Sequence, residues 1–172
     1  MRKLGMLWLL ALFILVGCST QTTEPLKVPE EEKEIVRVFK GAIKGLEEEA
    51  KVTSKGDQVL VLDLVAERPL SDQEKDYVTR LEPDEVISLI EAGLGVPGEF
   101  DRLQSLKGFH LSSQLRENQV FRLMLHFDMK ELDIEEARKS ALLQRFDLDQ
   151  LVNATADDLV ESLKAEGLVE VK

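Results

Sequence analysis

The run Val59-Leu60-Val61-Leu62-Asp63-Leu64-Val65 is the tightest constraint on what this chain can fold into. Six of its seven residues are valine or leucine, and the turn-rich stretch Ser54-Lys55-Gly56-Asp57 precedes it. So short an apolar run, bounded by turn residues, reads as a strand buried on both faces in the middle of a sheet. The segment from Gly45 to Thr53 then pairs with the segment from Gln58 to Ala66 as a hairpin. Ile35, Val36, Val38 and Phe39 predict a first strand ahead of it. Within the hairpin's first arm, Glu47-Glu48-Glu49 must put a carboxylate on each face, which predicts an edge position for that strand.

After Pro69 the alternation stops. Pro83 suits a first helical position, and Val86, Leu89, Ile90 and Leu94 follow at helical spacing. Gly93, Gly95, Pro97 and Gly98 break that helix, and a short second one fits Glu99 to Leu106. The later half repeats the order. Lys107-Gly108-Phe109 matches Lys44-Gly45-Leu46, Asn118-Gln119-Val120 matches Asp57-Gln58-Val59, and Ala156-Asp157-Asp158-Leu159-Val160 matches Pro83-Asp84-Glu85-Val86-Ile87. Leu159 and Leu163 give the last helix its apolar stripe and Gly167 ends it. Leu168 to Val171 predicts a closing edge strand, and the stretch from Ile134 to Phe146 an additional amphipathic helix. The expected fold is α+β: an antiparallel sheet with helices on one face, built from a duplicated hairpin-plus-helix unit spanning about 35–106 and 107–172. A chain of 172 residues has room for one such domain.

The first residues read as an address. Arg2 and Lys3 precede an apolar run from Leu4 to Val16. As a helix that run is about 20 Å long, short of the roughly 30 Å hydrocarbon core of a bilayer. A basic start followed by a short apolar run is the pattern of a removable export signal, here residues 1–17. It ends in Leu15-Val16-Gly17-Cys18, the pattern of a lipobox. Gly17 gives a peptidase access to the bond before Cys18, whose thiol takes a diacylglyceryl group. Two or more acyl chains then give stable anchoring. Cys18 is the only cysteine in the chain, so the anchor also accounts for an odd thiol in an exported protein. Residues 18–34, with Thr22, Thr23, Pro25, Pro29 and Glu30-Glu31-Glu32, bury no face and read as a flexible polar tether. Residues 35–172 form the folded domain.

The formal net charge is −11, and loss of Arg2 and Lys3 with the signal makes the mature chain two units more negative. That charge disfavours nucleic acid as a partner and disfavours direct adhesion to anionic lipid heads. Together the lipobox, the Lys-Gly-apolar start of each hairpin and the closing Ser162-Leu163-Lys164-Ala165-Glu166-Gly167-Leu168 resemble the YehR-like family of small bacterial lipoproteins. The resemblance spans most of the mature chain. It implies an α+β, lipid-anchored envelope protein with no assigned reaction. Where that family usually carries an aromatic after the closing glycine, this chain has Gly167-Leu168-Val169.

Reactive constellations are sparse. No Gly-x-Ser-x-Gly elbow, phosphate-cradling glycine loop or calcium-loop pattern occurs. His110 and His126 fall on the two arms of the second hairpin, with Asp128 on the face of His126, but as a metal pair they lack a clear third ligand. Half-exposed strand positions account for both. Asp147 with Asp149, and Asp157 with Asp158, are carboxylate pairs whose simplest roles are structural: the latter pair sits at a helix N-terminus behind the capping residue Thr155. Phe39, Phe109, Phe121, Phe127 and Phe146 read as core. The expectation is a non-enzymatic, lipid-anchored interaction or binding domain on the extracytoplasmic face of a cell membrane, with no cofactor or metal, holding an envelope protein or a small ligand. Two alternatives are a solute-binding module with a cleft between the repeats, and a precursor whose signal fragment Ala11-Leu12-Phe13-Ile14-Leu15-Val16-Gly17 serves as a peptide pheromone.

Overall fold

The computed structural model describes residues 33–93, 99–117 and 119–171. The export signal, Leu15, Val16, Gly17, Cys18, the tether to residue 32, Leu94, Gly95, Pro97, Gly98 and Asn118 lie outside the described residues. Among the described residues, six strands form one antiparallel sheet: β1 Glu34–Ile43, β2 Leu46–Lys55, β3 Gln58–Pro69, β4 Phe109–Leu115, β5 Val120–Asp128 and β6 Val169–Val171. Their order is β4-β5-β3-β2-β1-β6. The described residues also form six α-helices: α1 Asp72–Val78, α2 Pro83–Gly93, α3 Glu99–Gln104, α4 Ile134–Ala137, α5 Leu148–Asn153 and α6 Ala156–Ala165. The expected α+β architecture is present, and β6 closes the sheet on β1 at the predicted edge.

All helices pack on one face. Phe39, Ala50, Val52, Leu62, Leu111 and Phe127 point into that layer and are buried beneath α3 to α6. Phe127 meets Phe109 and Phe146 edge-on, with ring centroids 4.9 and 5.8 Å apart. A smaller cluster of Leu70, Val86, Ile90 and Phe121 seats α1 and α2, and Leu123 touches both clusters. On the opposite face Val61, Asp63 and Val65 are half-exposed. The central run is therefore interior in sheet order but covered on one side only. Its other face carries charge-paired polar neighbours in place of a second helix layer.

Three further expectations need correction. β2 is not an edge strand, because β1 pairs along its whole length. The glutamate triplet is accommodated locally: Glu47 is exposed, Glu49 reaches Lys40 at 2.8 Å on the open face, and Glu48 stands over Gly41, which has no side chain. The stretch from Ile134 to Phe146 is not one helix. α4 ends after one turn, and the buried hydroxyl of Ser140 accepts from Leu143 N–H at 3.1 Å to start a separate 3-10 turn over Leu143–Arg145. Duplication of a hairpin-plus-helix unit is not established. The hairpins β2–β3 and β4–β5 do stand side by side, but three helices separate β3 from β4 while the chain after β5 forms α4, the 3-10 turn, α5 and α6.

Local signals fix the helix ends. Thr155 caps α6 with a reciprocal Asp158 bond, and Ser71 caps α1 the same way through Glu74. The α1 cap is tied to the sheet: Arg68 donates to both Glu74 oxygens at 2.8 and 2.6 Å. The Arg68 hydrogen bond holds Glu74 at a pKa of about 2, against an ordinary 4.5. A depressed carboxylate stabilises the fold above its unfolded value and loses that effect as pH falls through the folded one. Glu74→Gln is expected to lower stability by about 2 kcal/mol at pH 7. In denaturant titrations the gap from wild type should close between pH 4.5 and pH 2.

Gly108 has a φ of +72°, and a Cβ there would lie 2.2 Å from the Leu132 nitrogen, a backbone atom that cannot swing aside. The loop after β5 folds over it, with Asp128 N–H donating to Gly108 O at 2.8 Å and Asp133 N–H to Lys107 O at 3.1 Å. Gly108→Ala should cost about 2–4 kcal/mol by thermal or chemical unfolding.

Candidate functional site

A cleft of about 590 Å³ lies between the helix-covered face of the sheet and the segment running from the 3-10 turn through α6. Its floor is Leu62, Leu64 and Ala66 of β3 with Leu123 and Leu125 of β5. Its roof comes from Phe146, Leu151, Ala154 and Leu163. The opening follows from how α6 is patterned. Ala156, Leu159 and Val160 in its first turns are buried, whereas Leu163 one turn later is only half-buried. Leu64, Ala66 and Leu123 are half-buried as well, so the helix layer does not close over this end of the floor. The volume falls within the range of about 300–1,000 Å³ typical of small-molecule sites, and the surface inside is mostly apolar.

The polar lip is mainly acidic. Glu48, Asp147 and Glu166 stand there with Arg145, Gln150 and Ser162. Close approach at Gly41 brings two of the carboxylates together. A Cβ at Gly41 would meet Gly167 O at 3.0 Å and Leu168 Cδ2 at 3.2 Å, so the end of α6 rests directly on β1. That contact sets Glu166 beside Glu48. Burial raises the Glu48 pKa, the Glu166 charge raises it further, and Lys44 opposes both. Asp147 caps α5 by accepting from Gln150 N–H at 2.9 Å. A more open furrow, lined by Asn153, Asp158 and Glu161, shares Gln150, Ala154 and Ser162 with the cleft and continues it along α5 and α6.

The histidines lie on the opposite face. His110 and His126 are directly paired across β4 and β5. Asp63, opposite His126 on β3, meets His126 Nδ1 at 2.6 Å and Lys51 Nζ at 3.5 Å. Asp128 shares that face but turns back on its own chain, accepting from Lys130 N–H at 2.9 Å and Glu131 N–H at 3.3 Å. Among the described residues no group of three or more His, Cys, Asp or Glu is placed to hold a metal ion. The other carboxylate pairs have structural partners: Asp149 binds Arg138, Asp157 meets Arg37 at 3.2 Å, and Asp158 caps α6. The lipidation residue Cys18 and its flanking Leu15, Val16 and Gly17 lie outside the described residues.

The sequence does not mark Glu48 and Glu166 as neighbours, and the cleft it suggested, between two repeats, lies instead beneath α5 and α6. One signal was available: a glycine at position 41 in an otherwise side-chain-bearing strand marks a close backbone approach. Glu48 is in a place that costs stability at neutral pH. Its raised pKa favours the protonated form in the fold, so its contribution is most favourable below the unfolded carboxylate range and diminishes as pH rises. Glu48→Gln should therefore raise the Tm at pH 7, with the gain vanishing by pH 3. A lower Tm at pH 7 would contradict the geometry of the lip.

Solved structures share this fold. An NMR structure of a protein from Streptococcus pneumoniae TIGR4 superposes with a TM-score of 0.67 at 22% identity, covering 83% of this chain and 87% of that one. The NMR structure of the Escherichia coli YehR protein superposes with a TM-score of 0.59 at 17% identity, covering 82% of this chain and 93% of its own. At these identities the likeness speaks for the fold. No curated protein sequence matches the chain. The family model, however, matches residues 36–163, which takes in most of β1, all of β2 to β5 and most of α6, and the chain belongs to the YehR-like family of uncharacterised domains.

Proposed function

We propose that this chain is a binding domain held at the extracytoplasmic face of a bacterial membrane by a diacylglyceryl group on Cys18, and that it takes a small apolar or amphipathic molecule in the cleft beneath α5 and α6. The cleft carries this reading. It combines an apolar floor contributed by β3 and β5 with a roof from the C-terminal helices and a ring of polar groups on one lip. That is the composition of a site that orients an amphiphile: apolar surface supplies affinity and a few polar groups set direction. The Asp63–His126 contact lies on the other face of the sheet and adds no polar group to the cleft. The anchor rests on the Leu15-Val16-Gly17-Cys18 pattern behind a short apolar leader. No helix among the described residues is long and apolar enough to cross a membrane.

Two measurements test this. The apolar fluorophore N-phenyl-1-naphthylamine should bind the purified domain saturably at one site. Ala66→Trp, which fills the floor, should abolish the signal while far-UV circular dichroism stays unchanged. Equal binding by the variant would remove the cleft from the proposal. In cells, Cys18→Ser should shift the protein from the membrane to the soluble fraction, and unchanged retention would end the anchor reading.

A further inference from the structure

The cleft's lip says which end of an amphiphile it meets. Resting on the binding reading above, we propose that the ligand is a single-chain amphiphile with a protonated amine head, its chain on the β3–β5 floor and its head between Glu48 and Glu166. Apolar residues line the interior, so the chain of such a molecule gains by leaving water in proportion to the area it buries. The head then has to be satisfied where the cleft reaches solvent. Glu48 projects from β2 on the helix side of the sheet, and the close contact at Gly41 fixes the end of α6 so that Glu166 stands next to it. Glu48 is half-buried and Glu166 exposed; burial and then the Glu166 charge push the Glu48 pKa upward, with Lys44 opposing. A cation placed between them converts the repulsion into two charge-assisted contacts.

The remaining charges around the mouth agree in sign. Asp147 is the third carboxylate of the lip, and Glu161 and Asp158 line the furrow that continues it. Glu49 also borders the cleft but is neutralised on the far face by Lys40. Against these stand Arg145 on the wall and Lys44 near Glu48. The balance is acidic, and the chain's net charge of −11 adds a long-range field that concentrates cations and repels anions. A fatty acid would bring its carboxylate to the same lip and be disfavoured.

The test compares three ten-carbon compounds below their micelle concentrations, decylammonium, decanol and decanoate, by calorimetry at pH 7 on the purified domain. Decylammonium should bind most tightly and decanoate least. Glu48→Gln and Glu166→Gln should each weaken decylammonium by about three- to tenfold and leave decanol unchanged. Both substitutions keep side-chain size, and Glu48→Gln relieves repulsion, so loss of fold does not confuse the result. If decanol binds and decylammonium binds no better, or if neither variant changes decylammonium affinity, the amine head is wrong while the cleft stands. Should none of the three bind, the cleft reading falls and this inference with it.

Discussion

The antiparallel ladder between β3 and β5 is the contact on which the rest of the molecule depends. It runs from Val61 opposite Asp128 to Pro69 opposite Val120, joining two hairpins that are separated in sequence by three helices. Each hairpin alone is a two-stranded ribbon, marginal in water. Side by side they form a continuous face on which Leu62, Leu64, Leu125 and Phe127 align. That face is broad enough to bury both helical groups. Polar pairs across the same ladder, Asp63 with His126 and Glu67 with Arg122 at 3.3 Å, fix the register from the other side. A slip of one residue would turn every one of these side chains to the wrong face.

The cleft follows from that arrangement. α1 and α2 settle on Phe121 at one end of the ladder, held by Arg68 and Glu74, while α5 and α6 settle over Leu62 and Phe127 toward the other. Leu64, Ala66 and Leu123 fall between these anchor points and keep part of their surface. Closing the gap would need larger side chains at Ala66 and Ala154. Both are alanine, and interior space of this size forfeits contacts that a packed core would make. Space beside an acid pair that is also unfavourable to the fold is the kind of local cost that accompanies binding sites.

The sequence made the frame legible where one residue type had a local reason. The apolar run from Val59 to Val65, the hairpin turn before it, Pro83 at the start of α2 and Thr155 capping α6 each have a short-range cause, and each is in place. Reasoning failed where the cause was distant. Glu47-Glu48-Glu49 looked like an edge because its partners, Lys40 on β1 and the bare Gly41, could be known only once the register was. The apolar spacing from Ile134 to Phe146 suggested one helix, but the buried Ser140 breaks it in two. Asp63 finds His126 at a separation of 63 residues, and the lip forms where α6 meets β1, so both are products of topology.

The cleft lies toward one end of the sheet. β1 runs for ten residues from Glu34 to Ile43, which lines the cleft. At about 3.3 Å per residue, β1 carries the chain roughly 30 Å from Glu34 to the lip. The start of β1 and the acidic mouth thus stand at opposite ends of the strand, so a charge change at the lip, at Glu48 or Glu166, leaves the first residues of β1 and their pairing with β2 untouched. The lip is therefore free to carry a charge pattern unfavourable to folding without loosening the ladder that holds the sheet together.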